Sequence, residues 1–465
     1  MKNIIILFLL IQSTLGFSTN LNWNLNSMYG VSQSGFDSII LDAKNHFATN
    51  PDDTIIINID AGTYNVGDIG NSAIKINSMS IGQNGRLIFK GAGINNTTLV
   101  FTNIYQTIIR INNSNNITFS DMHMTRANYT VTQGFVHSVG TGYVDLDIQD
   151  GFPTPLSLFN SNSNTGRYLR RYTNSKTDPQ VIQTDNSQVN WGDPNSTPTP
   201  PVLLSGNIWR FYLDNTNQLL TNYNIGDLVG VKSKHEKETF FIIGGSNFLF
   251  ENIKWTHSTR GVARNGAQNL TIKNCRIERG PPINGQTPCM ASPSGGPQMN
   301  QPNDPVSSNM IVDGCYIDSP GDDCVAFFNV NGGKVINSTL RNSFARGIYI
   351  LDGAQNICVS NNTMENNSIL GNYSQCTLSV SNQSNIKTKF LVYPNPTKDK
   401  ITIEFDKNYN KIEYNLYNYL GQLVKTKKLT NLSKTEVEIK EEKGLYILEI
   451  LTDNNSSETY KFLKN

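Results

Sequence analysis

The feature that most constrains the fold is an internal repeat. Six segments align without gaps, each alternating apolar and polar residues after its first residue; they start at Asn116, Asn247, Asn269, Asn309, Gly332 and Asn356. From the second segment onward the starts lie 22, 40, 23 and 24 residues apart. Such periods are typical of solenoids, and the alternation indicates strands. We interpret the longest spacing as one period plus a loop, which the Pro- and Gly-rich stretch 281–305 supplies.

Asparagine recurs where the strand in each repeat ends, at Asn252, Asn274, Asn337 and Asn361. Asparagine tolerates left-handed backbone and bonds to nearby main chain. In stacked rungs about 4.8 Å apart, these amides would form a ladder. One rung cannot bury its own apolar face, so we expect stability to come from stacking.

The N-terminus carries a secretory signal pattern over residues 1–16, with Lys2, an apolar run and small residues at the cleavage site. A transmembrane anchor is the alternative, but it needs about 20 apolar residues. No other apolar stretch is long enough to span a bilayer, so we expect no transmembrane segment. The net charge of +1 gives no reason to expect nucleic acid as a partner.

The start of the mature chain predicts a capping helix. Ser34 offers N-cap chemistry, and apolar residues follow at helical spacing before a strand that ends in Gly62-Thr63-Tyr64. These residues resemble the start of pectin-lyase-like proteins. The resemblance implies an all-β fold in which residues 17–378 form a right-handed parallel β-helix that begins with an N-terminal capping helix.

The repeat is lost between Arg126 and Lys237, a stretch that contains seven prolines. We interpret it as irregular rungs with long loops on one side. Long excursions from a solenoid are where binding functions lie, although a passive insertion is the alternative.

Six cysteines follow the signal: Cys275, Cys289, Cys315, Cys324, Cys358 and Cys376. Export and an even count permit disulfides, and sequential pairs are plausible. Alternatively, some are reduced core residues, because Cys275 and Cys315 share one repeat position.

The composition changes after a Ser/Asn/Gln-rich linker, residues 379–389. Short alternating strands over 390–465 predict a small β-sandwich. Tyr393-Pro-Asn-Pro396, the segment 416–424, Gly444-Leu-Tyr-Ile-Leu and the final Lys461-Phe-Leu-Lys resemble the type A sorting domain of type IX secretion. The resemblance implies a Bacteroidetes-type bacterium, the type IX machinery as partner, and a secreted or cell-surface location. A carbohydrate-binding β-sandwich is the alternative, but the region lacks tryptophan.

Two adjacent carboxylates, Asp322 and Asp323, are the strongest candidates for catalysis. They follow the fourth repeat segment, where a turn enters the next strand. Like charges side by side oppose folding, and a turn or bulge could point both outward. Glycoside hydrolysis requires such a pair, one as acid and one as base or nucleophile. The alternative is that they only satisfy main-chain groups in the turn.

Stacking brings further polar residues to the same side of the coil. His257, Arg260, Arg346 and Tyr349 occupy equivalent turn-to-strand positions in neighbouring rungs, beside the 281–305 loop. We predict that they bind substrate, since arginines hold hydroxyl or acidic groups by forked hydrogen bonds. His257 has an alternative interpretation as an ordinary surface residue. No HExxH, CxxC or Walker motif occurs, so we expect no metal and no cofactor.

The segment Gly321-Asp-Asp-Cys-Val-Ala-Phe327 resembles the Asp-Asp segment of β-helical glycosidases, the polygalacturonases and α-galactosidases. The similarity covers residues 245–360, and roles carry over only to Asp322 and Asp323. The polygalacturonase Asn-Thr-Asp, Gly-His-Gly and Arg-Ile-Lys motifs are absent, so pectin specificity is not implied.

We therefore expect a secreted glycoside hydrolase that acts, with inversion, on an extracellular polysaccharide or oligosaccharide. One alternative is a β-helix lyase in which Arg346 or Arg260 removes the proton α to a uronate carboxylate. The other is a non-catalytic adhesin that binds glycans. If Asp322 and Asp323 lie too close for inversion, Asp318 or Glu278 would supply the second carboxylate.

Overall fold

The computed structural model describes residues 19–67, 69–159, 165–183, 188–192, 200–213, 223–234, 237–258, 260–376, 390–418, 422–452 and 457–465. The predicted signal peptide and linker lie outside the described residues. The chain divides into two compact units at residues 377/378.

The first unit is a parallel β-helix with three faces. Face one contains the strands Asn20–Asn24, Thr54–Asn58, Arg86–Lys90, Asn115–Arg126, Ser246–Thr256, Gln268–Lys273, Ser307–Asp313, Val330–Ile336 and Gln355–Ser360. Face two contains Gly62–Asn65, Thr97–Phe101, the ends of the two longest face-one strands, Arg276–Glu278, Tyr316–Asp318, Thr339–Arg341 and Thr363–Glu365. Face three contains Ser72–Asn77, Thr107–Asn112, Phe240–Ile243, Gly261–Arg264, Pro297–Met299, Val325–Phe328, Ile348–Leu351 and Ile369–Leu370.

The sequence alignment of the repeat is the register of the stacked strands. Phe248 pairs with Ile117 on one side and Leu270 on the other, and Leu270 in turn pairs with Met310. These side chains belong to one continuous apolar core that runs along the inside of the coil. The predicted parallel β-helix is therefore confirmed.

Asparagine ladders run along two corners of the coil. At the third, between faces two and three, a shorter one joins Asn366 to Asn342 over 3.2 Å and Asn342 to the Ser319 hydroxyl over 2.7 Å. Between faces one and two, Asn252 donates to Asp121 over 3.0 Å, and Asn361 donates to Asn337 over 2.6 Å. A second ladder, which we did not predict, lies where face one begins. There each amide donates to the preceding rung over 2.8 or 2.9 Å, in the order Asn309, Asn269, Asn247, Asn116. Every one of these residues has left-handed backbone.

The N-terminal helix, Gln33–Phe47, packs against the first rungs. Its buried residues Phe36, Ile39, Ile40, Ala43 and Phe47 all belong to the core of the coil. The N-cap is Ser32, whose hydroxyl accepts a hydrogen bond from the Gly35 N–H over 3.1 Å, and not Ser34 as the sequence suggested. Ser32 is the N-cap because its backbone is extended, as this position requires.

The stretch between Arg126 and Lys237 corrects our interpretation, because it does not form irregular rungs. It forms an inserted domain with a seven-stranded antiparallel sheet: Thr132–Gly140, Tyr143–Ile148, Thr165–Tyr172, Gln188–Asn190, Val202–Ser205, Ile208–Tyr212 and Leu228–Lys234. A short helix, Pro155–Phe159, helps close a separate core around Trp191 and Phe211. The strands pair antiparallel, so the repeat period vanishes from this part of the sequence.

The second unit contains two antiparallel sheets. One has the strands Phe390–Tyr393, Lys400–Tyr409 and Leu432–Glu438, and the other has Ile412–Asn418, Leu423–Leu429, Gly444–Thr452 and Ser457–Lys464. Side chains from both sheets, such as Ile403 and Leu448, share one apolar core.

The cysteines divide between the two interpretations. Cys358 and Cys376 form a disulfide, as one of the sequential pairs. Cys275, Cys289, Cys315 and Cys324 are free and buried, so the other two sequential pairs are wrong. Cys275 and Cys315 belong to the apolar core, which is why they recur at one repeat position.

Candidate functional site

The two longest excursions from the coil leave at one place, the corner between faces two and three, which we call the 2–3 corner. The inserted domain, the segment 279–296 and the turns 319–324 and 342–347 all connect a face-two strand to a face-three strand. The connections that differ most between one rung and the next are therefore stacked along this corner.

A cleft of about 350 Å³ lies along the face-three side of this corner. It is lined by Arg260, Ser294, Gly295, Gly296, Gln298, Asp322, Asp323 and Ala326. Three of the six predicted site residues, Arg260, Asp322 and Asp323, thus meet in one cleft. Both aspartates are partly exposed there, and neither belongs to the apolar core inside the coil.

The main chain that carries the aspartates is hydrogen-bonded to the rungs on both sides. The Gly321 N–H donates to the Ser294 carbonyl, and the Gly296 N–H donates to the Asp323 carbonyl, each over 2.9 Å. On the other side, the Cys324 N–H donates to the Arg346 carbonyl over 2.8 Å. The turn is therefore part of the stacked coil rather than a free loop.

Glycine is required where the rungs approach most closely. A Cβ atom at Gly295 would lie 2.8 Å from the Asp323 carbonyl oxygen and 3.2 Å from the Asp322 Cβ. A Cβ atom at Gly321 would lie 2.2 Å from the Ser292 carbonyl oxygen. These glycines let the turn with both aspartates pack directly against the preceding rung.

Arg346 and Tyr349 adjoin the carboxylates. The Arg346 Nε lies 2.8 Å from the Asp323 Oδ1, and its guanidinium lies 3.9 Å from the centre of the Tyr349 ring. Tyr349 pairs with Ala326, which pairs with Gln298, so its position continues the row of cleft residues on face three. The guanidinium group therefore places a positive charge directly beside the Asp323 carboxylate.

Arg260 has an acidic neighbour that the sequence analysis missed. Its Nη1 lies 3.8 Å from the Glu238 Oε1, one rung nearer the N-terminus. Glu238 stands just before the face-three strand Phe240–Ile243, as Arg260 stands before Gly261–Arg264. Because Phe240 pairs with Gly261, Arg260 is level with Thr239 and Glu238 lies one residue earlier in its rung. The loss of the repeat before residue 240 concealed this neighbour.

His257 does not line the cleft. It is buried, its Nδ1 lies 3.0 Å from the Arg126 carbonyl oxygen, and its ring lies 4.2 Å from the Tyr129 ring. Its backbone is left-handed, as are those of Ser319 and Asn342, which begin the same turn in later rungs. Burial lowers the pKa of His257, so the imidazole is neutral. It occupies a turn-forming position and lies apart from the other predicted residues.

Asp318 and Glu278, the alternative candidates for the second carboxylate, form ion pairs with arginine or lysine away from the cleft. Asp318 is buried, and its Oδ2 lies 2.9 Å from the Arg279 Nε. Burial raises the pKa of Glu278, but hydrogen bonds from Arg276 and Lys254 outweigh that effect and leave the pKa below its ordinary value. Neither residue lines the cleft beside Asp322 and Asp323.

Within the described ranges, no three His, Cys, Asp or Glu side chains are grouped as a metal site would need. The same part of the chain contains no helix long and apolar enough to cross a membrane.

Two family models match parts of the chain. Residues 211–392 match the model of a right handed beta helix region, and residues 391–465 match a secretion system C-terminal sorting domain. No curated protein matches the sequence.

Solved structures show only distant similarity. The Agl-KA catalytic domain is 14% identical over 74% of this chain, with a TM-score of 0.36, and this chain spans 48% of that domain. The A-module of the mannuronan C-5 epimerase AlgE4 from Azotobacter vinelandii is 12% identical, over 73% of this chain and 76% of its own, with a TM-score of 0.30. A pectin methylesterase variant in complex with a hexasaccharide is 9% identical, over 83% and 80%, with a TM-score of 0.27.

The C-terminal match indicates export by the type IX secretion system to a secreted or cell-surface location. The chain is therefore a right-handed parallel β-helix protein that carries a secretion system C-terminal sorting domain.

Proposed function

We propose that the protein is an exported glycoside hydrolase whose active site is the cleft at the 2–3 corner. The observation that carries the proposal is that Asp322, Asp323 and Arg260 line one half-enclosed cleft on the outer side of the coil. Two carboxylates are costly to hold together in a turn, and their chemistry is what glycosidic bond hydrolysis needs.

The ion pair of Asp323 with Arg346 suggests how the two carboxylates divide the work. Asp323, beside this positive charge, accepts a proton from water while the water oxygen bonds to the anomeric carbon. Asp322 donates its proton to the glycosidic oxygen as the old bond breaks. Inverting enzymes hold the two groups about 6.5–9.5 Å apart and retaining enzymes about 5–5.5 Å. We propose inversion, and the anomer of the first product, read by NMR, tests it directly.

The remaining cleft residues provide groups for binding a sugar chain. Arg260 and Gln298 offer hydrogen-bond donors to hydroxyl groups, and Tyr349 offers an aromatic surface beside Arg346. The cleft is open to solvent, and its lining residues come from three stacked rungs, from Arg260 to Ala326, with Arg346 and Tyr349 in the next rung. We therefore propose a polysaccharide or oligosaccharide chain as the substrate.

The first experiment incubates the purified protein with a panel of neutral and uronate-containing polysaccharides. A hydrolase releases reducing ends without a change in ultraviolet absorbance. If Arg260 acts instead as the base of a lyase, every new end carries a double bond and absorbance rises with the reducing ends. Tight glycan binding without any product would overturn the hydrolase proposal in favour of an adhesin.

Export through the sorting domain is tested separately. Deletion of residues 390–465 should leave the β-helix folded, because each rung is stabilised by its neighbours. The truncated protein should accumulate in the periplasm, as measured by fractionation and surface labelling. Normal surface delivery of the truncated chain would show that these residues are not the export signal.

A further inference from the structure

A lysine of the inserted domain is buried against the turn that carries the candidate catalytic aspartates. Lys232 is 1% exposed, and its Nζ donates a hydrogen bond to the Gly321 carbonyl oxygen. The ammonium group also lies 4.0 Å from the centre of the Phe344 ring and 5.2 Å from that of Tyr168. Gly321 immediately precedes Asp322, so the inserted domain is hydrogen-bonded to the turn directly beside the carboxylates.

An arginine on the neighbouring strand makes the same kind of contact one rung further on. Arg170 is buried and donates a hydrogen bond to the Phe344 carbonyl oxygen, two residues before Arg346. Its guanidinium lies 5.1 Å from the centre of the Phe344 ring. The two cations therefore hold the carbonyl groups of two adjacent turns, one before Asp322 and one before Arg346.

Packing alone does not explain these residues. The surrounding contact combines an apolar cluster, which includes Leu228, Met290 and Phe344, with hydrogen bonds such as those of Asn342 to the Val181 N–H and the Pro179 carbonyl. Taking an ammonium or guanidinium group out of water is costly, and an apolar side chain would fill the space without that cost. What the cations add is a directed hydrogen bond to one carbonyl in each turn.

These turns are also fixed from the other side. The Gly321 N–H bonds to the Ser294 carbonyl, and the Cys324 N–H bonds to the Arg346 carbonyl. Lys232 and Arg170 thus complete the hydrogen bonding of main chain whose position determines where the Asp322, Asp323 and Arg346 side chains meet.

We propose that Lys232 and Arg170 are positioning residues, through which the inserted domain holds the two turns of the active site in register. The proposal rests on the proposed function of the cleft. It assigns the inserted domain a role in catalysis through the main chain, without contact between these two cations and the substrate.

The test compares Lys232→Met with Arg210→Gln on the full chain. Methionine keeps the length and apolar packing of the lysine but removes the hydrogen bond to Gly321. Because small displacements of reacting groups reduce rates strongly, we expect a fall in kcat of about ten- to a hundredfold, with KM changed less than threefold. Arg170→Met should act in the same direction.

Arg210→Gln is the matched control. Arg210 also belongs to the inserted domain and pairs with the buried Asp145, but its contacts lie away from the 2–3 corner. The substitution Arg210→Gln should destabilise the inserted domain without changing a contact to either turn, so kcat should stay within twofold of the wild type. An equal fall in kcat in both variants would reduce Lys232 to a purely structural role and overturn the proposal.

Amide hydrogen exchange separates this proposal from the proposed function. Lys232→Met should speed exchange over residues 319–324 and 342–347, and Arg210→Gln should not. If no glycan in the panel is cleaved by the wild type, the proposed hydrolase fails, yet exchange still reports on the turns. Unchanged exchange in Lys232→Met would overturn the positioning role whether or not the protein is a hydrolase.

Discussion

The corners of the coil differ sharply in what they contain. At the corner between faces one and two, and where face one begins, a left-handed asparagine recurs and stacks amide on amide. The 2–3 corner also begins with left-handed residues, Ser319, Asn342 and Asn366, but its connections range from the short turns 319–324 and 342–347 to the segment 279–296 and the whole inserted domain. The repeated residues stabilise the stacking of the rungs, whereas the connections that do not repeat bring charged residues to the surface.

The comparison assigns stability to the ladder corners and chemistry to the 2–3 corner. Both contain carboxylates: Asp121 and Asp313 accept ladder amides, whereas Asp322 and Asp323 line the cleft. The same residue type therefore has two expected roles, which can be separated by the same substitution.

The largest effect is expected from Asp322→Asn and Asp323→Asn. Each change removes a titrating group and keeps its size, so turnover should fall by about 10²–10⁴-fold, as is usual for general acid–base groups. The melting temperature should not fall much, because the change relieves repulsion between like charges, although Asp323→Asn also loses the ion pair with Arg346. Initial rates on the cleaved glycan and thermal unfolding measure the two quantities.

The control is Asp313→Asn in the ladder. Asparagine keeps the oxygen that accepts the Asn337 amide over 2.8 Å, so activity and melting temperature should both stay near those of the wild type. If the aspartate variants of the cleft keep their activity and gain stability, the 2–3 corner is as structural as the others.

The next effect is the loss of stability of the coil in mild acid. Burial, with help from the nearby Lys254, lowers the pKa of His123 from 6.5 to about 4. The unfolded chain therefore takes up a proton at higher pH than the folded chain, and stability falls as the pH drops from 6.5 to about 4. Allowing for partial exposure, we expect a loss of about 2 kcal/mol.

The replacement His123→Gln should flatten this part of the curve of unfolding free energy against pH. Some slope should remain, because burial lowers the pKa of His257 as well. A curve identical to that of the wild type would show that His123 titrates normally in the folded coil. The carboxylates with lowered pKa, such as Asp145, act below this window.

A change in stability of similar size is expected at one step of a ladder. Asn269 donates to Asn247 and accepts from Asn309, each over 2.9 Å, and its backbone is left-handed. Asn269→Ala removes both bonds and strains the backbone, so we expect about 2–3 kcal/mol less stability in urea unfolding.

Asn269→Gly divides this loss into its parts, since glycine adopts the left-handed backbone freely. It should lose about 1–2 kcal/mol, the contribution of the amide bonds. Activity below the unfolding transition should be unchanged in both variants. A fall in activity with intact stability would mean that the ladder corners also shape the cleft.

The sequence was sufficient to predict what repeats. The alignment of Asn247 with Asn269 and Asn309 is the register itself, because a parallel coil stacks equivalent residues directly. The same logic correctly brought Arg260, Asp322 and Asp323 to one cleft. Their catalytic and binding roles stay predictions.

What does not repeat could not be predicted in this way. The inserted sheet pairs strands that are distant in sequence, such as Thr165–Tyr172 with Leu228–Lys234. No periodicity records that pairing, and so Lys232 and Glu238 escaped notice. His257 was misplaced for a different reason: it stands three residues before Arg260, and one turn separates an inward from an outward side chain.

Confining the longest excursions to one corner has a consequence for how such a protein can change. A segment exchanged at the 2–3 corner alters the lining of the cleft at little cost to the core. The segment 279–296 contributes Ser294 and Gly295 to the cleft and one residue, Ala291, to the core of the coil. New substrate preferences can therefore arise by grafting or lengthening a single connection, with little repacking inside the coil. For engineering, this corner is the part of the molecule where sequence diversity can be introduced at the least cost to folding.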